Sequence, residues 1–328
     1  MKIKIISLLI ILSGLSVSLS AELTQEQVII EKKAYIKKLC TKLFGEVSDD
    51  KIGVYLLNIT ASFDANKRVS TDDLKKDEKF FAIRGFIYFD SKQYDNALLD
   101  LSECIKLKKD FSEAYFYRAK SYYYQGKLEN ALNDFNKFIS LDPTDSSAFY
   151  YRGIIYMRTN KYLEAIKDFN EVLKKEPKYA KIYRLKGEIF LALDKNKEAV
   201  SSLKKAIGFG DIEAVNILAY FYAENEIYLK DAEYLIKQIL IENSNNYIYR
   251  DTLGLVLYKQ SKYKEAEKEL LVANKISGED FFVKKHLAEC YLKLNNNDKA
   301  KKFFQEALAF ARTAEEKEFI KSELKNLD

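Results

Sequence analysis

The 328-residue chain has no tryptophan, two prolines, two methionines, three cysteines and one histidine. Each scarcity closes off a class of function. With His286 as the single imidazole, a two-histidine metal site is excluded, and a Ser–His–Asp set would have to use that residue. His286 stands beside Leu287 and Ala288 in a helical pattern, which gives it a structural or surface place. No GxxxxGK phosphate loop, GxSxG elbow or HExxH helix occurs. The 49 Asp and Glu residues are so frequent that their closeness in sequence says nothing about acid–base work. The expectation is a chain with no catalytic residues, no metal site and no cofactor. Cys40, Cys104 and Cys290 are odd in number and fit no metal or Cys-x-x-Cys spacing. At least one thiol stays unpaired within a molecule, and no disulfide is assigned.

Charge of one sign is also scarce. The formal charge is +5, and +3 once Lys2 and Lys4 leave with residues 1–21. That is too little to indicate a nucleic-acid binder, which concentrates positive charge on one face. Lys and Glu are interspersed, as on solvated outer helix faces. Few prolines and only 11 glycines suit long runs of helix. What the chain does have is 24 tyrosines and 21 phenylalanines, and they recur on a fixed step, which assigns most of them to core filling.

The unit is plainest from Ser146 to Tyr179. Phe149, Gly153 and Tyr156 share one helical face, and Ala165, Phe169 and Val172 share another. A short polar turn at Thr159, Asn160 and Lys161 joins them, and Pro177 ends the second helix because it has no N–H to donate. Gly85, Ala119, Gly153 and Gly187 lie 34 residues apart, as do Ala97, Ala131, Ala165 and Ala199. Phe81, Tyr115, Phe149 and Tyr183 keep the step, and so do Tyr88, Tyr122, Tyr156 and Phe190. Only Gly or Ala lets two antiparallel helices cross closely, and large aromatics then fill the space around the crossing. A period of 34 with these places filled resembles the tetratricopeptide repeat (TPR). The resemblance covers roughly 78–313. It implies an all-α fold, an α-solenoid of stacked antiparallel helix pairs in a right-handed superhelix.

Taken in order, residues 1–21 read as a secretory signal. Lys2 and Lys4 precede an apolar run from Ile5 to Val17, and the cut would follow Ser20 or Ala21. Residues 22–77 form a divergent helical cap and linker, the linker being Asp64 to Asp77. Repeats follow at 78–111, 112–145, 146–179 and 180–213. The fifth, about 214–246, slips register, with either Ala219 or Tyr220 in the small place. The sixth and seventh occupy 247–280 and 281–313, and 314–328 is a C-terminal capping helix. Cys104 stands where Phe138 and Val172 stand one and two repeats later, a core place. The late units lose the large first-helix aromatic, at Arg250 and Lys284.

One polar pattern runs through the first three units. Arg84, Arg118 and Arg152 precede the small residue, and Asp100, Asp134 and Asp168 follow each by 16. Two readings stand equally: an Arg–Asp pair within or between neighbouring units, and a solvated ion pair of little energetic worth.

The resemblance also implies a concave groove lined by first helices. Carried over unit by unit, its usual places fall on Phe86 and Phe89, then Phe116, Lys120, Tyr123 and Tyr124. Tyr150, Ile154, Met157 and Arg158 follow in the third unit, and Lys181, Arg184 and Glu188 in the fourth. Aromatics, Met and cations together suit a protein or peptide segment with apolar anchors and some acidic character. The other reading is that several of these aromatics pack between adjacent units. The family's carboxylate clamp is not matched, because its Lys and Asn places hold Ala82 with Phe86, and Phe116 with Lys120. The expected function is an exported scaffold or adaptor that binds a partner protein, in the periplasm or secreted, within a bacterial cell envelope. No nucleic acid or small-molecule substrate is expected. The alternatives are a membrane-surface protein held by an uncleaved Met1–Ala21 and a glycan- or cell-wall-binding module.

Overall fold

The computed structural model describes residues 25–45, 48–62 and 77–327. The export segment at 1–21, and the 64–77 linker except Asp77, lie outside the described residues. Those residues contain 17 α-helices and no strand. The chain divides after Lys175 into two compact units. The first holds α1 (Gln25–Phe44) and α2 (Asp49–Ser62). Three hairpins follow: α3 (Glu78–Asp90) with α4 (Tyr94–Leu107), α5 (Ser112–Tyr124) with α6 (Leu128–Leu141), and α7 (Ser147–Arg158) with α8 (Tyr162–Lys175). The second begins with α9 (Ala180–Ala192) and α10 (Asn196–Gly208), then α11 (Ile212–Glu224) and α12 (Leu229–Glu242). It continues with α13 (Tyr247–Lys259) and α14 (Tyr263–Ser277), then α15 (Phe281–Lys293) and α16 (Asn297–Phe310), and ends on α17 (Ala314–Lys325).

Every hairpin turns in the same way. In the first, the Gln93 amide donates to the Tyr88 carbonyl at 2.9 Å and the Lys92 amide to Phe89 at 2.9 Å. This paired closure satisfies carbonyls that the helix end would leave orphaned. It requires a left-handed residue, which is Lys92, Gly126, Asn160, Asp194, Ser261 or Asn295 in six hairpins, and Glu226 with Tyr228 in the fifth. Only the second hairpin uses glycine there, so the others hold a side chain against the strain of positive φ.

The small place marks where the two helices of a hairpin touch. A Cβ added to Gly153 would lie 2.7 Å from the Phe169 ring, and one added to Gly85, Gly187 or Gly254 would lie 2.8, 2.8 or 2.5 Å from Leu101, Leu203 or Leu270. Each partner lies 16 residues on, and all four partners are fully buried. Ala97, Ala131, Ala165, Ala199, Ala232, Ala266 and Ala300 are fully buried too. The fifth hairpin resolves in favour of Ala219. It lies seven residues into α11, as Gly187 does into α9, and is fully buried, whereas Tyr220 is partly exposed. The register slips because α10 is one residue shorter than α8 and the linker 209–211 is one residue shorter than 176–179, a loss that the turn 225–228, one residue longer than 159–161, only partly offsets.

The Arg–Asp pairs form inside each of the first three hairpins. Arg84 donates Nε and Nη2 to the two carboxylate oxygens of Asp100 at 2.6 and 2.7 Å. Arg118 holds Asp134 at 2.7 and 2.8 Å, and Arg152 holds Asp168 at 2.8 and 2.7 Å. The remaining Nη1 reaches back to the preceding hairpin, to Ser102 Oγ from Arg118 and to Asn136 Oδ1 from Arg152. Each guanidinium also lies on the aromatic ring three residues earlier, Phe81, Tyr115 or Phe149. All three aspartates are buried. Burial pushes the Asp100 and Asp168 carboxyls up, and the Arg fork offsets part of that. The solvated reading of these pairs is thereby excluded.

The hairpin array is covered at its first end. Ile52, Tyr55 and Ile59 of α2, with Ile36 and Cys40 of α1, pack on Phe80, Ile83 and Ile87. Tyr55 donates its hydroxyl to Asp77, which caps α3 by accepting from the Lys79 and Phe80 amides. At the other end α17 opens on a reciprocal cap between Thr313 and Glu316 and buries Ile320. All three cysteines are free and buried. Burial pushes the Cys40 and Cys290 thiols to about 11 and Cys104 to about 12, which leaves them protonated and inert.

Candidate functional site

In the first unit, α3, α5 and α7 gather an aromatic cluster around one lysine. The Lys120 ammonium lies 4.6 Å from the Phe89 ring centroid, 5.3 Å from Phe116, 5.3 Å from Tyr117 and 5.4 Å from Tyr151. Four electron-rich rings within cation–π distance stabilise a cation that has given up part of its hydration. Burial pulls the Lys120 ammonium below the ordinary lysine value, and the nearby Asp90 carboxylate opposes it. Asp90 is itself tied to α1 by the Tyr35 hydroxyl at 2.9 Å. Toward solvent, the Arg158 guanidinium covers the Tyr123 ring at 5.0 Å, and Tyr124 stacks on Tyr94 at 5.3 Å with 12° between planes. Tyr124 is half exposed and Arg158 exposed, so this edge of the cluster is open.

The groove residues read from the sequence divide. Phe116, Lys120, Tyr123, Tyr150, Ile154 and Met157 are partly exposed beside Tyr124 and Arg158. Phe86 and Phe89 do not line an open surface, being 2% and 9% exposed. The reason is Tyr117, whose ring lies 4.3 Å from Phe86 and 5.3 Å from Phe89 and covers both. Lys181, Arg184 and Glu188 belong to the second unit. There Arg184 is committed to Glu188 at 2.6 Å and Asp211 at 3.1 Å, so neither it nor Glu188 presents a free charge. Sequence reasoning missed Tyr117, Tyr151 and Tyr94. Tyr117 and Tyr151 are 34 residues apart, at a place where Ile83 and Leu185 stand in neighbouring repeats, and that local enrichment was the available signal.

The second unit puts charge where the first puts rings. Arg250 and Lys284, at the lost aromatic place, pair with Glu269 at 2.5 Å and Glu306 at 2.7 Å. Lys284 also donates to Asn274 Oδ1 at 3.2 Å. Of the two places open to His286, the structural one holds: it is buried, with Nδ1 2.9 and 3.1 Å from the carboxylate oxygens of Asp251. Among the described residues, no group of His, Cys, Asp and Glu is placed to hold a metal, and no helix is long and apolar enough to cross a membrane.

Antiparallel hairpins on a 34-residue step, touching at glycine or alanine and presenting a face built from first helices, define a helical-repeat protein. The chain carries tetratricopeptide repeats. Family models described as TPR repeat and tetratricopeptide repeat match residues 79–111, 119–160, 146–179 and 286–313. The fold is similar to that of a tetratricopeptide repeat protein from Parabacteroides merdae, at 15% identity over 77% of this chain and 99% of that one, with a TM-score of 0.59. The C-terminal part of a TPR repeat-containing protein from Cytophaga hutchinsonii is 20% identical over 72% of this chain and 97% of that one, with a TM-score of 0.56. Yeast Tom70 is 18% identical over 99% of this chain and 69% of its own, with a TM-score of 0.52. At these identities the likeness is one of fold. No curated protein matches the chain in sequence.

Proposed function

We propose that the protein is a non-catalytic scaffold that captures a partner protein through an extended or helical segment. It is read as exported to a bacterial cell envelope after loss of residues 1–21. The observation that carries the capture reading is the ring-held Lys120 with Arg158 and Tyr124 at its open edge. A cation among rings, with no carboxylate of the described residues in salt-bridge reach, favours a segment that brings its own Asp or Glu beside an apolar anchor. A preformed face of this kind has little ordering cost on the receptor side. The export reading is supported by the Lys-start apolar segment at 1–17 alone.

The test uses the chain from residue 22 onward against immobilised peptides and envelope polysaccharide. Peptides with acidic and aromatic or aliphatic residues in alternation are expected to be retained. Retention should weaken with salt and fall at least several-fold in Lys120→Ala with Arg158→Ala. Retention of polysaccharide instead of peptide, unaffected by salt, would replace this reading with a glycan-binding one. N-terminal sequencing of the mature protein tests export separately, and a start at Met1 would favour the membrane-surface alternative.

A further inference from the structure

The step from Phe116 to Tyr151 is 35 residues, and so is the step from Asp251 to His286. The two pairs occupy the same slot, where the first helix of one hairpin meets the first helix of the next. In the first unit the slot holds rings, with centroids 6.0 Å apart and edge to face. In the second it holds a carboxylate and an imidazole, 8% and 2% exposed. Both carboxylate oxygens lie within hydrogen-bond distance of Nδ1, so Nδ1 carries the proton and donates. No described protein group reaches Nε2, which is buried. The strength of this contact therefore rests on Asp251.

We propose that the Asp251–His286 pair makes the junction of α13 and α15 a pH-sensitive joint, closed while the imidazole is charged and loosened when it is neutral. A neutral ring leaves the Asp251 anion buried without its countercharge, which is the costly arrangement. The groups that face His286 are Asp251 from α13, and Glu289 and Lys285 from its own helix. Tyr220 on α11 lies beside Asp251 and Glu289. Burial first, then Glu224, Asp251 and Glu289, push its hydroxyl up to about 12, so it stays neutral. Tyr258 on α13 is pushed to about 12 by burial and then Glu289. Burial alone would lower His286, and the charge and hydrogen bond of Asp251 raise it above the ordinary histidine value. The sign follows. The contribution is fully present below the unfolded value of about 6.5 and is lost as pH rises through the elevated folded value.

The untagged chain carries one histidine, so its ring-proton NMR signal reports this titration without assignment. A midpoint above 6.5 is expected. Amide exchange of α15, corrected for intrinsic base catalysis, should accelerate through the same interval, by up to about tenfold for each unit of elevation. Asp251→Asn should move the midpoint down, and His286→Gln should flatten the exchange profile. A wild-type midpoint at or below 6.5 would overturn the proposal even if neither variant folds. So would an unchanged pH profile in His286→Gln.

Discussion

Phe116–Tyr151 and Asp251–His286 fill one slot with opposite chemistry. The ring pair is held by dispersion and exclusion of water, which pH does not touch. The ion pair must repay its own desolvation, so its worth changes with protonation. A similar contrast holds one place earlier in the first helix. Arg84, Arg118 and Arg152 lie on rings and fork an aspartate within the hairpin. Arg250 and Lys284 replace those rings and reach Glu269 and Glu306. The repeat constrains where the helices of a hairpin touch, at the small residue, the buried alanine and the large residue 16 places after the small one. It leaves the first turns of each first helix open to whichever contact a junction uses.

The sharpest way to break this comparison is to strand a charge. Arg118→Leu is expected to cost about 3–5 kcal/mol in urea unfolding, because Asp134 stays buried and unpaired. Adding Asp134→Leu should recover most of that, and additive costs would mean that the two side chains act independently. Gly153→Val should cost about 1–3 kcal/mol by driving a side chain into Phe169. Gly153→Ala should cost less, since Ala119 and Phe135 fill the matching places in one buried cluster of the preceding hairpin, and an unchanged melting temperature in the valine variant would contradict the crossing. Lys120→Met should cost about 0.5–2 kcal/mol through loss of its ring contacts, with salt dependence reduced. Transplanting the ring slot as Asp251→Phe with His286→Tyr should change stability at pH 6 by less than about 1.5 kcal/mol and abolish its pH dependence. The smallest effect is at the turns. Lys92→Gly should raise stability by up to about 1 kcal/mol by relieving positive φ, and calorimetry of the two proteins would show it.

Much of the fold was legible because helix contacts recur at fixed places. Gly85, Gly153 and Gly187 announced the crossings, and Arg and Asp at a separation of 16 announced their pairing. The binding face was less legible. Periodicity tells which face of a helix a residue occupies, and its depth depends on the neighbour's size. Phe86 and Phe89 lie at groove places and are buried because Tyr117, with Phe111 on Phe86 and Tyr94 and Tyr124 on Phe89, covers them. For His286 the sequence left a structural and a surface place both open, for a related reason. Its partner Asp251 is 35 residues away, and nothing local to either residue advertises a pair. The replacement of Ile83, Tyr117, Tyr151 and Leu185 by a histidine at the same place was the one mark left.

The arginines of the first unit give the stack a direction. Arg118 and Arg152 use their spare nitrogen on the preceding hairpin, where they grip Ser102 and Asn136. Peeling a hairpin from the leading end strips a buried guanidinium of the acceptor for one N–H, although it keeps its own aspartate. Peeling one from the trailing end strips only a neutral hydroxyl or amide, which water replaces readily. For these contacts, fraying is easier from the C-terminal end than from the N-terminal end, and shortened chains that end after Leu141 should keep their remaining hairpins better than chains that begin at Ser112.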